Sequence, residues 1–164
     1  MNKEKLIQYL DEIADQIDQV ALEIWHNPEL SGQEKESADL LRRVLREHGF
    51  SIREVGEGLE HAFIGEYGSG SPVIAVLGEY DALPGLSQQL DTRQNPVVKN
   101  GAGHACGHNL LGAGALGAAL AIKKYLAETG KAGTVRFYGC PEEELLVGKV
   151  KMIKAGAFAG CDLA

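Results

Sequence analysis

Two strand-like runs, Val73-Ile74-Ala75-Val76-Leu77 and Thr134-Val135-Arg136-Phe137-Tyr138, flank one long helical stretch. That stretch, Cys106 to about Glu128, carries glycine and alanine over much of its surface. The Val73 run is continuous, apolar and rich in β-branched residues, which marks a strand covered on both faces and central in its sheet. A helix with so few bulky side chains can lie unusually close to a sheet. The order strand, helix, strand implies parallel pairing through a right-handed crossover. Gly148 to Lys154 is predicted as a further helix, ended by Gly156. The expected fold is α/β: three layers, α/β/α, around a mostly parallel central sheet.

Upstream, apolar residues from Leu6 to Ile24 recur at three- and four-residue steps and predict one amphipathic helix from Lys3 to about Trp25, stopped by Asn27-Pro28. Ser31, three residues before Glu34, reads as the cap of a second helix running to His48. Its buried face would be Ala38, Leu41, Val44 and Leu45. Alternation over Ser51–Val55 and His61–Tyr67 predicts two strands at or near a sheet edge. The polar segment Ser87–Asn100 reads as a long surface excursion, a kind of loop that is often functional.

Composition narrows the function. The chain has 164 residues, 45% of them apolar, which suits a single domain with its own core. A net charge of −7, with no block of lysine or arginine, argues against nucleic acid or an anionic membrane as the main partner. The first residues lack the apolar core of an export signal, and a cytoplasmic protein is the expectation. Three cysteines without such a signal do not suggest a disulfide framework, so Cys106 is available as a ligand.

The chemistry gathers in Gly101–Leu111, where His104, Cys106 and His108 fall within five residues. A thiolate and an imidazole two residues apart suit zinc or a similar divalent ion. In open parallel sheets the functional crevice lies beyond the carboxyl ends of the strands. Two such ends here carry acids, Asp81 after one strand and Glu142-Glu143-Glu144 after the other. The helix between them begins on the same side with Cys106 and His108, and its amino end is expected to lower the Cys106 thiol pKa. Adjacent glutamates cannot both face one ion from an extended segment. One would ligate and its neighbour would take a proton from water, which is the chemistry of hydrolysis.

Three ordered motifs carry a resemblance over nearly the whole chain: Gly78-Glu79-Tyr80-Asp81-Ala82-Leu83-Pro84-Gly85, Gly103-His104-Ala105-Cys106-Gly107-His108-Asn109, and Cys140-Pro141-Glu142-Glu143-Glu144 followed by Gly148-Lys149. The sequence resembles the aminoacylase and carboxypeptidase-like metallo-amidohydrolases, in particular the aminobenzoyl-glutamate hydrolase branch. The resemblance implies a zinc-exopeptidase-like fold and a binuclear site for two divalent ions, zinc or manganese. In it Cys106 bridges, His108 and Glu144 are terminal ligands, Glu143 is the general base and Asp81 is the supporting carboxylate. It also implies hydrolysis of amide bonds in small substrates: N-acyl amino acids, dipeptides or aminobenzoyl-glutamate. Glu79 stands where related branches have a histidine ligand and is not assigned to metal. Family enzymes carry further ligand histidines and a lid through which they form homodimers. By resemblance, residues 1–164 are therefore the N-terminal portion of a catalytic domain, with the lid outside them. The alternative is a non-catalytic metal-binding or interaction fragment.

Other features receive plainer readings. His104 is expected to support its loop, Glu142 to lie in a solvated turn and Cys140 in the core. Cys161 carries no motif, while Trp25 reads as core and His26 as a helix end. Gly112-Ala113-Gly114-Ala115-Leu116-Gly117 matches a dinucleotide-binding pattern. That fingerprint must turn directly out of a strand, and close helix–sheet packing is the expected use of these glycines.

Overall fold

The computed structural model describes residues 1–164. The N-terminal amphipathic stretch forms two helices rather than one, α1 (Lys3–Glu12) and α2 (Ala14–His26). Ile13 leaves helical geometry at φ −103° and ψ 4°, and the two pieces pack separately against a later helix. The next helix, α3 (Lys35–Glu47), buries Ala38, Leu41, Val44 and Leu45 as expected. Ser31 does not cap it. The free amides of Glu36 and Ser37 are taken by the Glu29 carboxylate at 2.9 and 2.8 Å, and Ser31 turns instead to the buried Asp81.

The strands are β1 (Ser51–Glu54), β2 (Phe63–Ser69), β3 (Val73–Glu79) and β4 (Gly133–Cys140), in the spatial order β1-β2-β4-β3. Only β3 and β4 pair in parallel; β1–β2 and β2–β4 are antiparallel. The sheet is therefore mixed, which corrects the mostly parallel expectation. Val55–Ala62 is too short to carry a crossover, which needs a dozen or more residues, so β1 and β2 fold back on each other. A second correction concerns β3, which lies at the edge of this sheet while β4 lies inside it. Part of that edge is covered by the chain's own return: Leu163 bridges Ile74, and the Leu163 carbonyl accepts from the Ala75 amide at 2.8 Å.

Successive strand residues face opposite layers, as a pleated strand requires. Phe63, Val135 and Phe137 join a core with α2, α3 and the long helix α4 (His108–Thr129). Ile64, Ala75, Tyr138 and Cys140 join a second core with Met152 of α5 (Gly148–Lys154). The three expected layers are present, four helices on one face and α5 on the other. By length and composition α4 could cross a membrane. Here it runs between the sheet and the N-terminal helices, contacting β3, β4, α1 and α2.

The glycines of α4 serve packing. A Cβ at Gly112 would stand 2.7 Å from the Glu79 carbonyl oxygen, so only glycine lets the helix touch the end of β3. The GAGALG pattern lies wholly inside α4, not at a turn out of a strand. Gly112→Ala is expected to push the helix from the strand end and destabilise the fold by about 1–3 kcal/mol. A urea melt would read this as a lower midpoint at constant slope.

Candidate metal centre

Register brings the site together. Glu79 pairs with Cys140 at the carboxyl ends of β3 and β4, so Asp81 and the Glu142–Glu144 turn leave the sheet side by side. The first residue of α4, His108, lies between them. Gly107 precedes it in the left-handed region at φ 86°, a conformation glycine adopts without steric cost. Cys106 thus sits in the turn before α4, not in the helix.

The Cys106, His108 and Glu144 ligand atoms lie within 4.8 Å of one another. A second group of the same compactness is Glu79, His108 and Glu143, so the imidazole belongs to both. His108 Nε2 is 3.2 Å from Glu79 Oε2 and 3.5 Å from Glu143 Oε2. Glu79, which the motifs alone did not assign to metal, thereby enters the cluster. Its other oxygen meets the Lys149 ammonium. The signal was its position as the last residue of the strand that leads to Asp81, at the carboxyl end where the other acids gather.

Asp81 underpins the cluster. It is 1% exposed, and its Oδ1 lies 2.9 Å from His108 Nδ1. Its Oδ2 accepts from Ser31 Oγ at 2.7 Å and from the Glu144 amide at 2.9 Å. Burial alone would raise the Asp81 pKa. The bonds from His108, Glu144 and Ser31 outweigh it and hold the carboxyl below its ordinary value. The same contact with Asp81, helped by the Glu79 charge and opposed by burial, raises the His108 pKa. A carboxylate on Nδ1 fixes the tautomer and leaves Nε2 free to act as a ligand.

The acidic turn is anchored a second time. Glu34 is fully buried, and its Oε1 accepts from the Glu142 amide at 2.8 Å. Glu142 itself adopts a left-handed φ of 57° and pairs through its side chain with Lys151. It is a structural corner more than a solvated acid. Burial raises the Glu34 pKa despite the hydrogen bond from the Glu142 amide. Nothing in the sequence marked Glu34 beyond its place in a capping pattern.

His104 takes no part in either donor group. Its Nε2 lies 3.1 Å from the Ile24 carbonyl, tying its loop to α2. The Cys106 thiol departs from expectation. Its pKa is raised, by desolvation first and then by the charges of Glu144, Glu143 and Glu79. Lying outside α4 among carboxylates, it feels more negative potential than helix dipole.

The donors fit a divalent cation. Thiolate, imidazole and carboxylate are the usual zinc ligands, and Glu144 Oε1 is buried with no hydrogen-bond partner. A buried carboxylate oxygen left unpaired is costly, and a cation would satisfy it.

Residues 75–163 match the model of the peptidase family M20/M25/M40. The chain belongs to this family. It is 50% identical over 147 residues to one of the subunits of the p-aminobenzoyl-glutamate hydrolase of Escherichia coli, covering 88% of this chain and 30% of that protein. It is 36% identical over 140 residues to an N-acetylcysteine deacetylase of Bacillus subtilis, covering 84% of this chain and 36% of the relative. Among solved structures, the Bacillus subtilis YXEP protein, described as a dinuclear metal binding peptidase of the M20 family, superposes with a TM-score of 0.78. Identity there is 32%, over 92% of this chain and 42% of the other. The chain thus spans 30% and 36% of the length of these two curated relatives.

A cation on His108 would compete with protons there, so zinc affinity is expected to fall as pH drops through the raised His108 pKa. In Asp81→Asn the group that raises that pKa is gone. The fall should move to lower pH, while the maximal affinity drops roughly 10- to 100-fold. Calorimetric zinc titrations at a series of pH values read both. Glu34→Ala should cost about 1–3 kcal/mol in stability by leaving the Glu142 amide unpaired, whereas Glu34→Gln, which keeps an acceptor, should cost less in the same melts.

Proposed function

We propose that this chain carries the cation-binding face of a metal-dependent amidohydrolase acting on a small amide, an N-acyl amino acid or dipeptide, with aminobenzoyl-glutamate among the candidates. The observation that carries the reading is the convergence of Cys106, His108 and Glu144 within 4.8 Å, with Glu143 beside them. Membership in a family whose members include named hydrolases, deacetylases and peptidases supports it.

In this reading Cys106, His108 and Glu144 would hold the divalent cations. The sulfur favours zinc over manganese. When bound, the cations polarise the amide carbonyl and bring the pKa of water towards ~7. The chain's own groups do the rest. Glu143 accepts a proton from the attacking water and delivers it to the nitrogen of the leaving amine as the C–N bond breaks. Asp81 holds the His108 ring by Nδ1 and the Glu144 backbone by its amide, so that base and ligand keep their separation. Glu79, neutralised in part by Lys149, is a further carboxylate next to His108.

A second reading has its own support. It is a module that binds metal without turnover by itself, since the Cys106, His108 and Glu144 donors lie together within this chain.

Glu143→Gln separates binding from chemistry. In the complete polypeptide it is expected to leave zinc stoichiometry unchanged and lower kcat by at least 100-fold. Retained turnover removes the base assignment. In the chain as given, cobalt substitution should produce a thiolate charge-transfer band that Cys106→Ser abolishes. A band unchanged by that substitution excludes Cys106 as a ligand.

A further inference from the structure

The cluster presents more donors than one cation needs, and the imidazole at its centre is shared. Asp81 holds His108 by Nδ1, which leaves a single ring lone pair, that of Nε2, for a cation. Two donor groups claim that ring: Cys106 with Glu144, and Glu79 with Glu143. Spacing does not rule the second group out. Zinc bonds of about 2.0–2.2 Å to nitrogen and oxygen, at tetrahedral angles, set neighbouring ligand atoms about 3.3–3.6 Å apart. Glu79 Oε2 and Glu143 Oε2 lie 3.2 and 3.5 Å from Nε2. A cation settling there would draw in Glu143 as a ligand and leave the thiol aside.

What separates the two groups is charge supplied by α5. Lys149, its second residue, places its ammonium on Glu79 Oε1, and Lys151, two positions on, places its own on Glu142. Glu143 and Glu144 meet no lysine or arginine; their ion-pair contacts are with His108 alone. The helix thus pins the two glutamates to which the site gives no part and leaves free the two that it uses. The Glu79 and Lys149 side chains are 17% and 32% exposed, so solvent ions screen the pair less than they would one on the open surface. An ammonium fixed on a carboxylate cancels its attraction for another cation and repels that cation directly.

We propose that Lys149 is a positioning residue for the cation. By occupying Glu79 it closes the Glu79–His108–Glu143 group to divalent ions, so that His108 serves the Cys106–Glu144 group and Glu143 stays free to take a proton. The proposal rests on the amidohydrolase reading for the roles of Cys106 and Glu143, and adds what keeps those roles apart. Without the ammonium, Glu79 becomes a competing ligand, and the same pocket of donors accepts the cation in the wrong place.

Cobalt reports on placement, because thiolate ligation gives a charge-transfer band that carboxylate and imidazole ligation lack. Lys149→Met keeps the apolar stem of the side chain and removes the charge. With one equivalent of cobalt on the 164-residue chain, the band per bound ion is expected to fall roughly twofold or more in Lys149→Met. It should return when Glu79→Gln is added to that variant, and should be unchanged in Lys149→Arg. A band that Lys149→Met leaves intact overturns the proposal. So does a loss that Glu79→Gln does not reverse, since the charge then acts elsewhere than on Glu79. Should Lys149→Met not fold, the wild-type chain supplies a second measurement: acetylation of Lys149 by an amine-directed ester, read by mass spectrometry. The reaction is expected to be slow in the zinc-free chain, severalfold faster in Glu79→Gln, and still slow in wild type after one equivalent of zinc. Acceleration by that equivalent to the Glu79→Gln rate means that the ion has taken Glu79, and overturns the proposal. A wild-type chain without a thiolate band removes the amidohydrolase reading of Cys106 and the proposal with it. A band present in wild type and unmoved by Lys149→Met removes the proposal alone.

Discussion

One buried carboxylate, Asp81, joins the parts of this molecule that matter for chemistry. Three segments far apart in sequence meet on it: the loop after α2 through Ser31, the start of α4 through His108 and the turn after β4 through the Glu144 amide. A carboxylate this buried is stable only when its lone pairs are met by donors, and here each donor comes from a different element. The requirement to satisfy Asp81 is therefore also a requirement that the segments carrying His108 and Glu144 converge.

Around that anchor the charge is one-sided. Glu79, Glu143 and Glu144 face His108 and Cys106, and the nearby counter-charge is the Lys149 ammonium on Glu79. Like charges at this spacing repel, and after desolvation they add to the upward shift of the Cys106 pKa. A divalent cation inverts that logic, since it favours the thiolate and the carboxylates together. The cluster is strained electrostatically as an apo site and matched as a holo one.

Much of this was legible in the residues. Periodicity located α3 and its buried face, and the strand-helix-strand order located the one parallel pair. The motifs around Asp81, Cys106, His108 and Glu144 fell at one end of the sheet because register aligns Glu79 with Cys140. What failed has physical causes. The break at Ile13 interrupts no hydrophobic period, so the pattern ran straight through it. The apolar run of β3 suggested a central strand, yet only one of its edges is paired along its length; burial of side chains and pairing of backbone are separate properties. Ser31 had the sequence of a helix cap, but a buried acid competed for its hydroxyl and won. Glu34 carried no signal, because its role depends on meeting Glu142 across 108 positions of chain.

The clip between Leu83 and Gly103 has a mechanical consequence. Its mutual amide–carbonyl pair ties the segment leaving β3 to the segment entering α4, with residues 84–102 as a closed loop outside that tie. A change of length or character within the loop is therefore borne at its neck before it reaches Asp81 on one side or His108 on the other.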